Sequence, residues 1–159
     1  VEVERYQQDD AASHSFRGPT PRAAVMFGPP AHAYVYRSYG LHWCLNLVCE
    51  PEGRGAAVLL RALAPEVGLE AMRARRGPVA DRLLCAGPGR LCQALGVDAG
   101  LNGAPLAGGP LSVLPREADV DVVVGPRIGI SRDVDRPWRF GVRGSPHLSR
   151  PFPRAAAAA

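Results

Sequence analysis

The sequence predicts a mixed α/β (α+β) single domain, rich in short strands and long loops and poor in long helices. Three observations carry this expectation. A chain of 159 residues with 47% hydrophobic content can bury one real core but not two. Sixteen prolines and eighteen glycines punctuate it too often for a helical bundle. Its apolar runs mostly alternate or are short and β-branched, with two helical stretches between them.

The first strand is Val1 to Tyr6, where alternation puts Glu2, Glu4 and Tyr6 on one face. Gln7 to Arg22 has turn-formers and no periodicity, and reads as a loop carrying His14 and Arg17. Ala33 to Tyr39 and Leu41 to Cys49 are aromatic and β-branched runs meeting at Tyr39-Gly40, the pattern of a hairpin with Tyr39 near its tip. In its second strand Leu41, Trp43, Leu45, Leu47 and Cys49 share one face and His42, Cys44, Asn46 and Val48 the other, so Asn46 is a polar residue in a mostly apolar strand.

Ala56 to Leu63 is a buried-looking strand broken by one charge, Arg61, which requires a partner. Gly68 to Arg76 and Pro88 to Leu95 read as helices capping the sheet; Pro88 suits a first turn and Gly96 a stop. Leu101 to Pro115 is a Gly/Pro-rich loop, followed by short strands at Val120 to Val124, Ile128 to Ile130 and Trp138 to Val142. Residues 1–150 form the expected domain and residues 151–159, ending in alanines, a flexible tail.

Charge adds a partner class. The formal net charge is +4, and Arg136, Arg139, Arg143, Arg150 and Arg154 follow one another with no acid between them, which implies a basic face suited to a polyanion. All 19 cations are arginine. Schiff-base chemistry needs a deprotonatable amine, which a guanidinium does not supply, so only the terminal amine remains for it. Cys44, Cys49, Cys85 and Cys92 lack the close-pair spacing of a zinc site, and no histidine is spaced with them as a ligand. No metal and no cofactor are expected. The thiols read as reduced core residues, which with the lack of a hydrophobic signal or membrane-length stretch implies a cytoplasmic (nucleoid-associated) or nuclear protein, not secreted and not membrane-bound.

The chemistry-bearing residues converge on Glu4. Tyr6, His14, Tyr34, Tyr36 and Tyr39 lie near it in sequence. Flat aromatic surfaces beside a carboxylate suit a site that sandwiches a planar base and activates a water at the adjoining sugar. Alternation puts Tyr36 on a pocket-facing side, and Tyr39 at the turn can project as a wedge into the hole left by a flipped nucleotide. Each residue also has a plainer reading, Glu4 as a solvent-facing strand acid and the tyrosines as core aromatics.

The stretches VEVERY at Val1 to Tyr6, ASHSFRG at Ala12 to Gly18, TPR at Thr20 to Arg22 and MFGPPAHAYVYRSYGLHWCLN at Met26 to Asn46 carry a resemblance. VLLRALAP at Val58 to Pro65, GPGRLCQALG at Gly87 to Gly96, GPRIGIS at Gly125 to Ser131 and RGSPHLS at Arg143 to Ser149 extend it. In order and spacing they resemble the alkyladenine (methylpurine) DNA glycosylases over nearly the whole chain. The resemblance implies a curved, mainly antiparallel sheet with short flanking helices. It implies Glu4 as the general base, with Arg61 and the backbone carbonyl of Ile128 helping to hold the attacking water. Tyr6, His14 and Tyr36 would stack on the flipped base. Leu41 also falls among the substrate-binding positions, and Asn46 would disfavour the exocyclic amine of guanine. Tyr39 and Met26 would intercalate, and Arg17, Arg22 and Arg143 would meet phosphates.

The function implied is a monofunctional glycosylase of base-excision repair, a monomer that flips alkylated or deaminated purines such as 3-methyladenine and hypoxanthine out of duplex DNA. The loop from Tyr6 to His14 is slightly shorter than the family's, and a further N-terminal segment is expected before the strand of Glu4. Two other classes remain open at this point. One is a non-catalytic damage-binding module, which would not depend on Glu4. The other is an RNA-binding domain, since the family's fold resembles a domain of methionyl-transfer-RNA formyltransferases.

Overall fold

The computed structural model describes residues 1–153. Six strands form one sheet in the order β2-β3-β4-β1-β6-β5, with every neighbouring pair antiparallel. They are β1 (Glu2–Tyr6), β2 (Ala33–Ser38), β3 (His42–Val48), β4 (Ala57–Ala62), β5 (Val122–Gly125) and β6 (Arg139–Val142). Two helices, α1 (Leu69–Arg76) and α2 (Pro88–Leu95), complete the α+β domain with three short 3-10 turns.

The pleat gives the sheet two different faces. Ala33 and Val35 of β2 and Leu45 of β3 point to the helices and pack with Met72, Leu91, Cys92 and Ala94 as the main core. Pro88 opens α2 because a first-turn residue needs no amide hydrogen, and Gly96 ends it in the left-handed region at φ +70° with its N–H returned to Cys92 and Gln93. The opposite face carries Tyr34, Val48 and Ala57, which bury Ala23 and Met26 of the 3-10 turn Ala24–Phe27 and its cap. This second cluster supports the aromatic residues from beneath.

Three expectations from the sequence need correction. Ile128 to Ile130 is not a strand: Gly129 turns the chain at φ +76°, and the Ile128 amide donates to the Glu4 carboxylate instead of a neighbouring strand. Cys49 is exposed, unlike buried Cys44, Cys85 and Cys92, because β3 ends at Val48. Pro151 to Pro153, assigned to a tail, stay on the domain: the Arg139 guanidinium donates to the Arg150 and Pro151 carbonyls and lies 3.9 Å from the Phe152 ring centre. The rest of that tail, with Arg154, lies outside the described residues.

Candidate active site

Register places the site residues. Reading across the sheet, Tyr34 pairs with Asn46, Asn46 with Leu59, Leu59 with Glu4, and Glu4 with Arg139, so one row runs from edge strand β2 to β6 on the face away from the helices. Above it opens a cleft of about 860 Å³ whose walls include Tyr6, His14, Tyr36, Asn46, Arg61 and Ile128. That volume suits a small planar ligand with part of its carrier.

Glu4 lies at the base of this cleft with its side chain fully buried. Oε1 accepts the Ile128 amide at 2.7 Å, and Oε2 accepts the Tyr6 hydroxyl at 2.9 Å and Arg61 Nη1 at 3.3 Å. A carboxylate offers about four acceptor positions, so these three donors leave one without a protein partner. Arg61, the lone charge of β4, finds its partners here: Nη1 reaches Glu4 and Nε reaches Glu2 Oε1 at 3.2 Å.

Two aromatic walls flank the carboxylate. On one side the Arg127 guanidinium lies 4.6 Å from the centre of the Tyr6 ring, and burial, then the Glu4 charge, raise the Tyr6 phenol well above its ordinary range. It therefore remains a hydrogen-bond donor. On the other side His14 meets the Tyr36 ring edge to face, with centroids 4.5 Å apart, and its Nδ1 lies 2.8 Å from the Tyr34 hydroxyl. Burial, then the Arg22 charge, push His14 down to about 4, which makes it a neutral imidazole at physiological pH. The short loop from Tyr6 still brings His14 to this wall. Burial also raises the Tyr36 phenol. Asn46 is buried, its Nδ2 donating to the Tyr34 carbonyl at 3.0 Å.

The hairpin expected at Tyr39-Gly40 is present. Ser38 and Leu41 close the turn, Leu41 N to Ser38 O at 2.9 Å, with Tyr39 at φ +50° and Gly40 at +66°. Tyr39 stands 84% exposed at the tip. Positive φ at both central residues is the turn type that matches strand twist, but tyrosine adopts it at a cost. Leu41, expected in the base pocket, is 77% exposed beside Tyr39 and lines a neighbouring cleft instead. Met26, expected to intercalate, is 2% exposed within the second cluster and does not project.

The basic face also differs from its reading in the sequence. Arg139 is buried on Glu2, Arg136 pairs with Asp9 and Asp133, and Arg143 pairs with Asp121 at 2.7 Å. Glu2 and Asp9 come from the other end of the sequence, Asp121 from 22 residues before Arg143 and Asp133 from just outside the run, so a run of arginines with no acid inside it is not a run of free charges. The exposed cations bordering the cleft are Arg17, Arg22, Arg132 and Arg150. Arg150 belongs to the arginine run read as a basic face, whereas Arg132 was missed as a site residue. So was the fully buried pair of Asp10 and Arg127, whose members lie too far apart in sequence to leave any signal.

The chain is similar to known proteins over most of its length. The family model for methylpurine-DNA glycosylase (MPG) matches residues 1–146. A protein of Nitrosospira multiformis named "Putative 3-methyladenine DNA glycosylase" is 60% identical over 96% of this chain and 79% of its own length. Proteins of the same name from Rhodopseudomonas palustris and Bradyrhizobium diazoefficiens are 58% and 54% identical, each over 97% of this chain and over 75% and 77% of their own lengths. The chain belongs to the methylpurine-DNA glycosylase family, and so to the hydrolases that act on N-glycosyl bonds in DNA. Among the described residues no helix is long and apolar enough to cross a membrane.

Proposed function

We propose that this protein turns alkylated or deaminated purines out of duplex DNA into the cleft and hydrolyses the bond between base and sugar. The observation that carries this reading is the buried Glu4 carboxylate, held by three donors at the base of an aromatic-walled cleft. Tyr6, His14 and Tyr36 supply the stacking surfaces for the extruded base, and Tyr39 the wedge that fills the gap in the duplex. A water on the free position of Glu4 gives up a proton to the carboxylate as its oxygen bonds to the anomeric carbon. The electron pair of the breaking bond leaves with the base.

A cationic base such as 3-methyladenine or 7-methylguanine departs neutral and needs little more than this. A neutral base such as hypoxanthine must gain a proton as it leaves, and is therefore released more slowly. The chain's lack of lysine supports base release without strand cleavage. Arg17 and Arg22 on the cleft border are suited to flanking phosphates, and Arg143 contributes less while Asp121 holds it.

The test is single-turnover base release from duplexes carrying 7-methylguanine, ethenoadenine or hypoxanthine, wild type against Glu4→Gln. Release by the wild type and its loss in the variant, with duplex binding kept, supports the reading. Tight lesion binding with no release from any duplex would overturn it in favour of a non-catalytic damage-binding module.

A further inference from the structure

Glu2 shares the sheet face of Glu4 but does not itself line the cleft, and nothing in the proposed excision uses it. It is nevertheless heavily bonded. Its Oε1 accepts Arg61 Nε at 3.2 Å, Arg139 Nε at 2.7 Å and the Ser149 hydroxyl at 2.7 Å, and its Oε2 accepts the Ser149 amide. The same Ser149 hydroxyl lies 3.4 Å from Arg61 Nε. Ser149 therefore bridges the acid and the arginine that reaches Glu4.

The segment after Ser149 is fixed in its turn by Arg139, which bonds the Arg150 and Pro151 carbonyls and stacks on Phe152. Phe152 fits because Gly125 and Gly141 leave bare backbone beneath its ring: a Cβ at either would stand within 2.9 Å of it. The match to the family model covers residues 1–146, and the clasp of Ser149 to Phe152 follows it in the chain.

We propose that Glu2 and Ser149 are positioning residues for excision, in which the Ser149 to Phe152 segment fixes Glu2 and Glu2 holds Arg61 in place on the Glu4 carboxylate. An arginine side chain has several rotatable bonds, and Nη1 alone would hold Arg61 on Glu4 loosely. The second anchor at Nε fixes the guanidinium plane, and with it the one open position on Glu4 where a water can sit. The inference rests on the excision reading above.

The experiment measures single-turnover release of 7-methylguanine and lesion-duplex affinity for Ser149→Ala, Ser149→Thr and Glu2→Gln, each alone and in an Arg61→Ala background. Ser149→Ala keeps the amide bond to Glu2 and is the mildest change. It should lower the release rate roughly tenfold, the scale of one hydrogen bond to a charged group, with affinity unchanged. Ser149→Thr, which retains a hydroxyl on the same carbon, should restore most of that rate. In the Arg61→Ala background the Ser149 and Glu2 changes should cost little more, because they act through the arginine that is already gone.

Equal losses with and without Arg61, or a Ser149→Ala rate equal to wild type, would overturn the proposal while leaving Glu4 as the base. Should Glu2→Gln fail to fold, the Ser149 pair decides alone. No release by the wild type would overturn this proposal and the excision reading together, whereas Glu4-dependent release that ignores Ser149 overturns only this one.

Discussion

The Tyr6 hydroxyl donates to Glu4 Oε2 at 2.9 Å, so the residue that walls the cleft also holds the carboxylate beneath it. The proposed stacking surface and the proposed base are thereby fixed to each other within a single strand. Replacing Tyr6 by phenylalanine keeps the ring over Arg127 but leaves a buried carboxylate short of one donor. We expect Tyr6→Phe to unfold more easily by about 1.5–3 kcal/mol at neutral pH, read from urea titration. An unchanged midpoint would mean that the hydroxyl contributes nothing to the hold on Glu4.

His14 gives a dependence on pH whose sign follows from its burial. Folding lowers its pKa from 6.5 to about 4, so between these values the unfolded chain binds more protons than the native one. Its part of the stability is intact above pH 6.5 and is progressively lost as the pH falls toward 4. The gap in unfolding free energy between wild type and His14→Gln should therefore narrow or change sign on going from pH 7 to pH 5. Parallel pH curves for the two proteins would rule this out.

Tyr39 holds a left-handed backbone that suits asparagine far better. The substitution Tyr39→Asn creates an Asn-Gly turn and should raise the unfolding free energy by about 1 kcal/mol. The same change removes the exposed ring, and with it the proposed wedge. A gain in thermal midpoint together with weaker lesion binding is expected. If binding is unaffected, the ring does not enter the duplex.

Free and neutralised arginines should differ in the salt dependence of DNA affinity. Replacing Arg17 or Arg22 by glutamine should lower the slope of log affinity against log salt by about one unit each. Arg143→Gln should change it less while Asp121 remains, and Asp121→Asn should steepen it. Equal slopes for all four variants would remove the cleft border from the DNA interface.

Much of the fold could be read from local pattern. The alternation in Val1 to Tyr6 and in the Tyr39-Gly40 hairpin gave strands and facing correctly, and Pro88 and Gly96 marked both ends of α2. What escaped depends on residues far apart in sequence. The bonds from Arg127 to Asp10 and from Arg139 to Glu2 span more than a hundred residues, and no periodicity reports such pairs. Ile128 to Ile130 looked like a strand because its apolar residues alternate, yet the backbone there is spent on Glu4. Within the site, Glu4, Tyr6, His14, Tyr36, Asn46 and Arg61 come together, while Leu41 stands outside the cleft and Met26, expected to project, is buried in its wall. Burial of a methionine and exposure of a leucine are set by tertiary packing, which composition alone does not reveal.

The place of β1 between β4 and β6 has a consequence for the order of events during folding. The strand that carries Glu4 is made before its neighbour β4, but its other neighbour is made only from residues 139–142. A chain whose synthesis has passed β4 can pair only one edge of β1, and closing the long loop to β6 is a slow, non-local step. Until then Arg139 and Ser149 are absent from Glu2. A nascent chain at that stage exposes aromatic and basic surface while the surroundings of Glu2 and Glu4 are unfinished, and the proposed hydrolytic centre is completed only when β6 pairs.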